Sequence, residues 1–390
     1  MSHSILPEPT GELKQLSRAL ADRMRSEMAA EGLLPFIRFM EMALYEPALG
    51  YYSAGLHKLG ASGDFTTAPE LGDLFAGCLA RQIAEVSEDL GAYDIVEVGA
   101  GTGQLAADVL LALPPDRLPD RYRILERSAD LKAVQRETVA SHAPELAARV
   151  SWIERPPEEP WRGVLLANEV LDALAVERFR IGTEGVEQLC VREDGERFGW
   201  AARPAPERLR REVEKVLSGI DGGLPAGYRS EINPQLESWL AAVTGQMSRG
   251  LALFVDYGYP RHEYYLPERN DGTLMCHYRH RAHGDVFFWP GLQDITAWVD
   301  FTALAEAADA CGLEVEGFTG QAMFLLGCGL DRLLQQRMAD SDDEGLGLSA
   351  QTRQLTMPGM MGERFKVMGL GRQLERPLTG FSLQDLRTRL

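Results

Sequence analysis

Residues 94–110 read DIVEVGAGTGQLAADVL. A short apolar run with an acid, Glu97, just before the turn leads into glycines at alternate positions 99, 101 and 103, and apolar residues at helical spacing follow. The pattern is that of a buried strand turning tightly into a helix. It constrains the fold strongly, because a strand followed at once by a helix is the opening of a parallel crossover unit. The remaining sequence repeats the alternation. YRILER (122–127), RVSWIER (149–155), GVLLANE (163–169) and GLALFVDYGY (250–259) read as strands, and LKAVQRETVA (131–140) reads as a helix. The helix over 102–113 is stopped by Pro114 and Pro115. The expected fold class is α/β, a mostly parallel Rossmann-like sheet with helices on both faces.

Residues 11–43 read as two helices, with Pro35 near the start of the second and Pro47 beyond its end. Thr67 and Glu70 have capping-box spacing, and Leu71, Leu74, Phe75, Cys78, Leu79 and Ile83 recur behind them, so a helix is expected from there to about Val86. Asp194-Gly195 signals a hairpin. Residues 259–300 are rich in Gly, Pro, His and aromatics without periodicity, which marks a functional loop. The acidic stretch 339–347 reads as a solvated loop. The expected organisation is an N-terminal helical or lid segment over 1–90 and a cofactor-binding domain over 91–390, with insertions at about 179–230 and 259–300.

Strand, glycine turn and helix together bind nucleotide-like cofactors at the carboxyl edge of a sheet. The dinucleotide spacing G-x-G-x-x-G/A fails from Gly99, where Gln104 stands, but is met from Gly101 by Gly103 and Ala106. Charge separates the readings. Glu97 ends the strand two residues before Gly99; a carboxylate there repels a pyrophosphate and suits an amino group or a sulfonium. Glu126 ends the next strand, placed to accept from the two hydroxyls of a ribose. Gly99, Ala100, Gly101, Gly103, Glu97 and Glu126 therefore read as a site for S-adenosylmethionine.

Beyond the turn, EVGAGTG resembles the first motif of class I methyltransferases. LYEPALGYYS (44–53), GDFTTAPELGDLF (63–75), LLANEVLDALAVERF (165–179), VDYGY (255–259), the 272–301 segment and MGERFKVMGLG (361–371) resemble the MidA-like family of these enzymes. The motifs run through nearly the whole chain in the family's order. The resemblance implies a class I methyltransferase fold, S-adenosylmethionine as cofactor, and methylation of a protein arginine, the activity of the mitochondrial members that assist assembly of respiratory complex I. It leaves open what bacterial-type members modify.

A guanidinium nucleophile is protonated before reaction, so carboxylates must orient it and disperse its charge. Asn168 and Glu169 leave the carboxyl end of the fourth strand, Asn168 placed to hydrogen-bond the cofactor or orient the nucleophile, and Asp172 follows three residues later. If a helix begins there, both acids share a face and grip the substrate; alternatively Asn168 caps that helix. Asp256 is a third candidate acid, and Tyr257 a packing surface for adenine or substrate. Asp64, Thr66 and Thr67 are expected to close over the methionine end of the cofactor, with a plain N-cap as the other reading of Thr67. His280, His283 and Asp285, with Arg279 and Arg281, read as a substrate loop. Cys276, His277, His280 and His283 lack structural zinc spacing, so no metal is expected.

Composition narrows the partners. The net charge of −18 argues against nucleic acid and anionic membranes and is compatible with a basic protein substrate. No apolar stretch reaches about 18 residues, and the N-terminus lacks a secretory pattern. Five scattered cysteines without a CxxC pair fit a reducing, cytoplasmic setting. The sequence leaves oligomeric state open. It also leaves three functions open: protein arginine methylation, methylation of a small molecule, and a cofactor-binding assembly factor without catalysis.

Overall fold

The computed structural model describes residues 6–54, 67–220, 222–340 and 345–390. Contacts divide the chain into two units, each drawn from three separate segments. One takes the described residues of 1–65, 172–235 and 261–298, the other those of 66–171, 236–260 and 299–390.

The second unit contains the parallel sheet. Along its main path the strands are β1 (Asp94–Val98), β2 (Arg121–Leu125), β3 (Val150–Ile153), β4 (Trp161–Asn168), β5 (Met247–Tyr259), β6 (Glu314–Gly320) and β7 (Phe365–Arg372), with the short Val299–Asp300 paired to the end of β5. They lie in the order β3-β2-β1-β4-β5-β7-β6. All neighbours up to β5 run parallel, and β7 alone is reversed, antiparallel to both β5 and β6. The chain moves outward from β1 through β2 to β3, then returns to β4 on the other side of β1. That reversal of direction is a topological switch point, where a crevice opens beyond the carboxyl ends of the strands.

Three helices bear on the site: α1 (Leu74–Leu90), α2 (Gln104–Ala112) and α3 (Ala129–His142). All five residues of β1 are buried, as a central strand covered on both faces requires. The core unites Phe75, Ile83 and Leu90 of α1 with Ile95, Val109, Tyr122, Leu166 and Leu253. This packing places α1 with the sheet, so the organisational boundary expected near residue 90 does not match the contacts. An amphipathic helix belongs to whichever core covers its apolar face. The helix expected from Thr67 is also divided. Thr67 opens a short 3-10 turn, Ala68–Leu71; Gly72 interrupts it at φ 139°, and α1 begins at Leu74.

The other unit has helices Gly11–Glu31 and Phe36–Tyr45 beside an antiparallel sheet. That sheet includes the hairpin Val186–Asp194 and Arg197–Pro204, turned at Asp194-Gly195. Its core holds Leu20, Met24, Phe36, Phe39, Val191, Phe198 and Ile295. The segment 259–300 is more regular than its composition indicated. Met275–Tyr278, Arg281–His283 and Asp294–Thr296 pair into an antiparallel ribbon. Among the described residues no helix is long and apolar enough to cross a membrane.

Candidate active site

The turn after β1 takes the conformation its glycines permit. Gly99, Gly101 and Gly103 have φ of 67°, 53° and 84°, left-handed values that a side chain disfavours. Two of them are also crowded. A Cβ on Gly99 would lie 3.0 Å from Val170 Cγ2, and one on Gly103 would lie 3.0 Å from Gln135 Cα. Gly103 precedes α2, so the free N–H groups of that helix's first turn follow the loop directly. Ala100 is buried within it.

Glu97 is buried in β1, and the Tyr122 hydroxyl donates to its Oε2 at 2.7 Å. Burial raises the Glu97 carboxyl from 4.5 to about 7, with the Tyr122 hydrogen bond opposing that rise. Glu126 follows the tip of β2. Its Oε1 accepts from the Ser128 backbone N–H at 2.7 Å and its Oε2 from Gln135 Nε2 at 3.3 Å. Gln135 was not singled out from the sequence, since it lies in α3 far along the chain from the turn it touches. It also donates to the Gly101 carbonyl at 3.0 Å and accepts from Trp152 Nε1 at 2.9 Å.

The tip of β4 departs from expectation. No helix begins at Asn168; the next element is the strand Glu177–Ile181. Glu169 instead adopts φ 53°, a left-handed conformation costly for a residue with a Cβ. Neighbouring groups hold it there. Glu169 N donates to Val255 O at 2.8 Å, while Val170 N and Leu171 N both donate to Asp256 Oδ2, at 3.1 and 2.9 Å. Asp256 Oδ1 accepts from Tyr257 N at 2.9 Å. Asp256 is therefore a buried acceptor for backbone N–H groups that fixes the turn. Asn168 Nδ2 donates to Glu169 Oε1 at 3.2 Å, and Asn168 Oδ1 is buried without a donor among the described residues. The Tyr257 ring meets Phe365 edge-on at 5.4 Å.

Glu97, the glycine turn, Glu126, Asn168, Glu169 and Asp256 thus gather at the carboxyl ends of neighbouring strands in one unit. Thr67 belongs to that unit too, its N–H donating to Glu70 Oε2 at 3.4 Å in the capping turn. Asp64 and Thr66 lie outside the described residues. Asp172 belongs to the other unit, buried, with its carbonyl accepting from Ala297 N at 2.9 Å, and the helical face expected to join it to Glu169 does not form. His280, His283 and Asp285 are also in that unit. His280 sits with Arg279 at the tip of the ribbon hairpin, at φ 58° and 48°. His283 Nδ1 accepts from Asp285 N at 3.2 Å, burial lowers its pKa, and Asp285 accepts from Arg197 at 2.6 Å.

The site's residues fit S-adenosylmethionine. Three positions of the loop carry no side chain, one strand-tip carboxylate keeps acceptor capacity on both oxygens, and a second is buried beside the turn. Comparison with known proteins agrees. The family described as "Putative S-adenosyl-L-methionine-dependent methyltransferase" matches residues 78–319. A Burkholderia thailandensis protein crystallised with S-adenosyl-homocysteine is 41% identical with a TM-score of 0.93, over 99% of this chain and 100% of that one. The protein arginine methyltransferase NDUFAF7 homologue, mitochondrial, of Drosophila melanogaster is 26% identical over 96% of this chain and 91% of its own length. The corresponding Danio rerio protein is 27% identical over 95% and 94%.

Proposed function

The chain belongs to this family of S-adenosylmethionine-dependent methyltransferases, and from that premise we propose that it methylates an arginine side chain of a protein partner. The observation that carries the arginine reading is the pair at the tip of β4. Asn168 Oδ1, a buried acceptor without a donor among the described residues, adjoins the Glu169 carboxylate. Two neighbouring acceptors, one of them anionic, complement a planar cation that offers only donors. The names of the Drosophila and Danio relatives support the same substrate class.

Held at the glycine turn, the cofactor would supply a methyl group whose bond to a positively charged sulfur breaks as the new bond to nitrogen forms, the electron pair staying on sulfur. The chain's own residues do the rest. Backbone groups of Gly99, Ala100, Gly101 and Gly103 would hold it, Glu126 would accept from the ribose hydroxyls, and Glu97 would balance the charge of the amino group. Asn168 orients one guanidinium nitrogen. Glu169 holds a second and takes the proton released when the first gains its methyl. Asp256 keeps that acid in place.

The test is transfer of labelled methyl groups into a lysate from a strain lacking this protein, followed by mass spectrometry. Label on arginine is expected; label confined to lysine or to small molecules would overturn the substrate class. Glu169→Gln should bind S-adenosylhomocysteine normally and slow transfer by about 10²–10³. Full activity in that variant would remove Glu169 from the reacting centre.

A further inference from the structure

We propose that Gln135 is a positioning residue for the cofactor, one side chain that holds the glycine turn and the Glu126 carboxylate in a single register so that both oxygens of Glu126 face a ribose diol. The inference rests on the placement of the ribose at Glu126 given above.

Of the residues of α3, Gln135 and Val139 are the buried ones, and Gln135 has no exposed surface. Burying an amide is unfavourable unless its polar atoms are satisfied. Here the partners define its orientation. The Trp152 indole N–H can only donate, so the atom facing it must be the amide oxygen. The NH₂ group is thereby directed at two acceptors, Gly101 O and Glu126 Oε2. A leucine would fill similar volume but leave an indole N–H and a carbonyl unpaired.

The consequence falls on Glu126. A carboxylate oxygen has two lone pairs, and among the described residues each oxygen of Glu126 has one donor: Ser128 N on Oε1 and Gln135 Nε2 on Oε2. Each keeps acceptor capacity, and the two oxygens are pinned in one plane. Two adjacent acceptors at fixed spacing suit two vicinal hydroxyls. The same amide ties that plane to Gly101, and Gln135 Cα lies only 3.0 Å from where a Cβ on Gly103 would stand. Turn and acid therefore cannot move independently.

The test uses the purified full chain and calorimetry with S-adenosylhomocysteine and its 2′-deoxyribose analogue. Gln135→Met is expected to weaken binding of the ribose form about tenfold and to shrink the preference for ribose over deoxyribose by a similar factor. Trp152→Phe, a milder change that frees the amide to turn over, is expected to move both quantities the same way by about threefold. A merely structural role would lower both affinities alike and leave the ratio unchanged. If both variants keep the parental ratio while Glu126→Gln loses it, Gln135 does not position the carboxylate. If Glu126→Gln itself keeps the full ratio, the ribose placement fails and takes this inference with it. Should Gln135→Met not fold, Trp152→Phe decides.

Discussion

Glu97 gives the site a dependence on pH that the sequence did not announce. An acid before the glycine turn was legible as a charge, but its titration depends on burial and on Tyr122, a residue of the neighbouring strand. Its carboxyl rises from 4.5 to about 7 on folding. Between those values the folded chain binds more protons than the unfolded one, so the contribution is fully present below 4.5 and is lost as pH rises through about 7. The difference corresponds to roughly 3 kcal/mol. Denaturation of the protein without cofactor should therefore need less urea as pH rises through that window, and Glu97→Gln should flatten the slope. An unchanged slope in the variant would show that another group titrates. A cationic ligand beside Glu97 favours its ionised form, so cofactor binding should release a proton at pH 6 and much less at pH 8.

At the scale of elements, the turn between β4 and the next strand matters most. It holds a glutamate in a left-handed conformation, and Asp256, from the adjacent strand, accepts the N–H groups of the two residues that follow. Asp256→Ala leaves three buried or part-buried N–H groups without that acceptor, at about 1–3 kcal/mol for a buried group left unpaired. A loss of at least about 2 kcal/mol in chemical denaturation is expected. A loss below about 0.5 kcal/mol, the range of ordinary surface substitutions, would mean that the turn holds itself. The sequence disclosed the elements whose cause is local. Strand, glycines and helix at 94–110 follow from nearest-neighbour chemistry, as does the hairpin at Asp194-Gly195. It did not disclose the turn after Asn168, because the group that stabilises it is 86 residues away at Asp256. The ribbon hairpin escaped notice for a related reason. Its tip, Arg279-His280, contains none of the Gly, Asn or Asp that signal such turns. Gln135 was hidden by distance as well, since its partners at Gly101 and Trp152 lie on other elements.

For the molecule as a whole, the charge of −18 is a property of the entire surface and acts on encounter more than on fold. An arginine-rich peptide should associate more slowly as salt rises from about 0.05 to 0.5 M, where the screening length falls several-fold. A rate that does not respond to salt would detach substrate capture from the overall charge. Neither unit is a continuous stretch of chain, which is why composition and motif order revealed the sheet's fold class but not how the segments are shared between the units. The sheet's connectivity has a further result during synthesis. Residues 365–372 form the strand lying between 247–259 and 314–320. While a ribosome is still making the polypeptide, those two earlier segments are both available but have no mutual partner, and each keeps a row of unpaired backbone groups open to mispairing. Completion of the sheet waits for the segment threaded between them, so a product that ends before Phe365 keeps two strand margins open to mispairing.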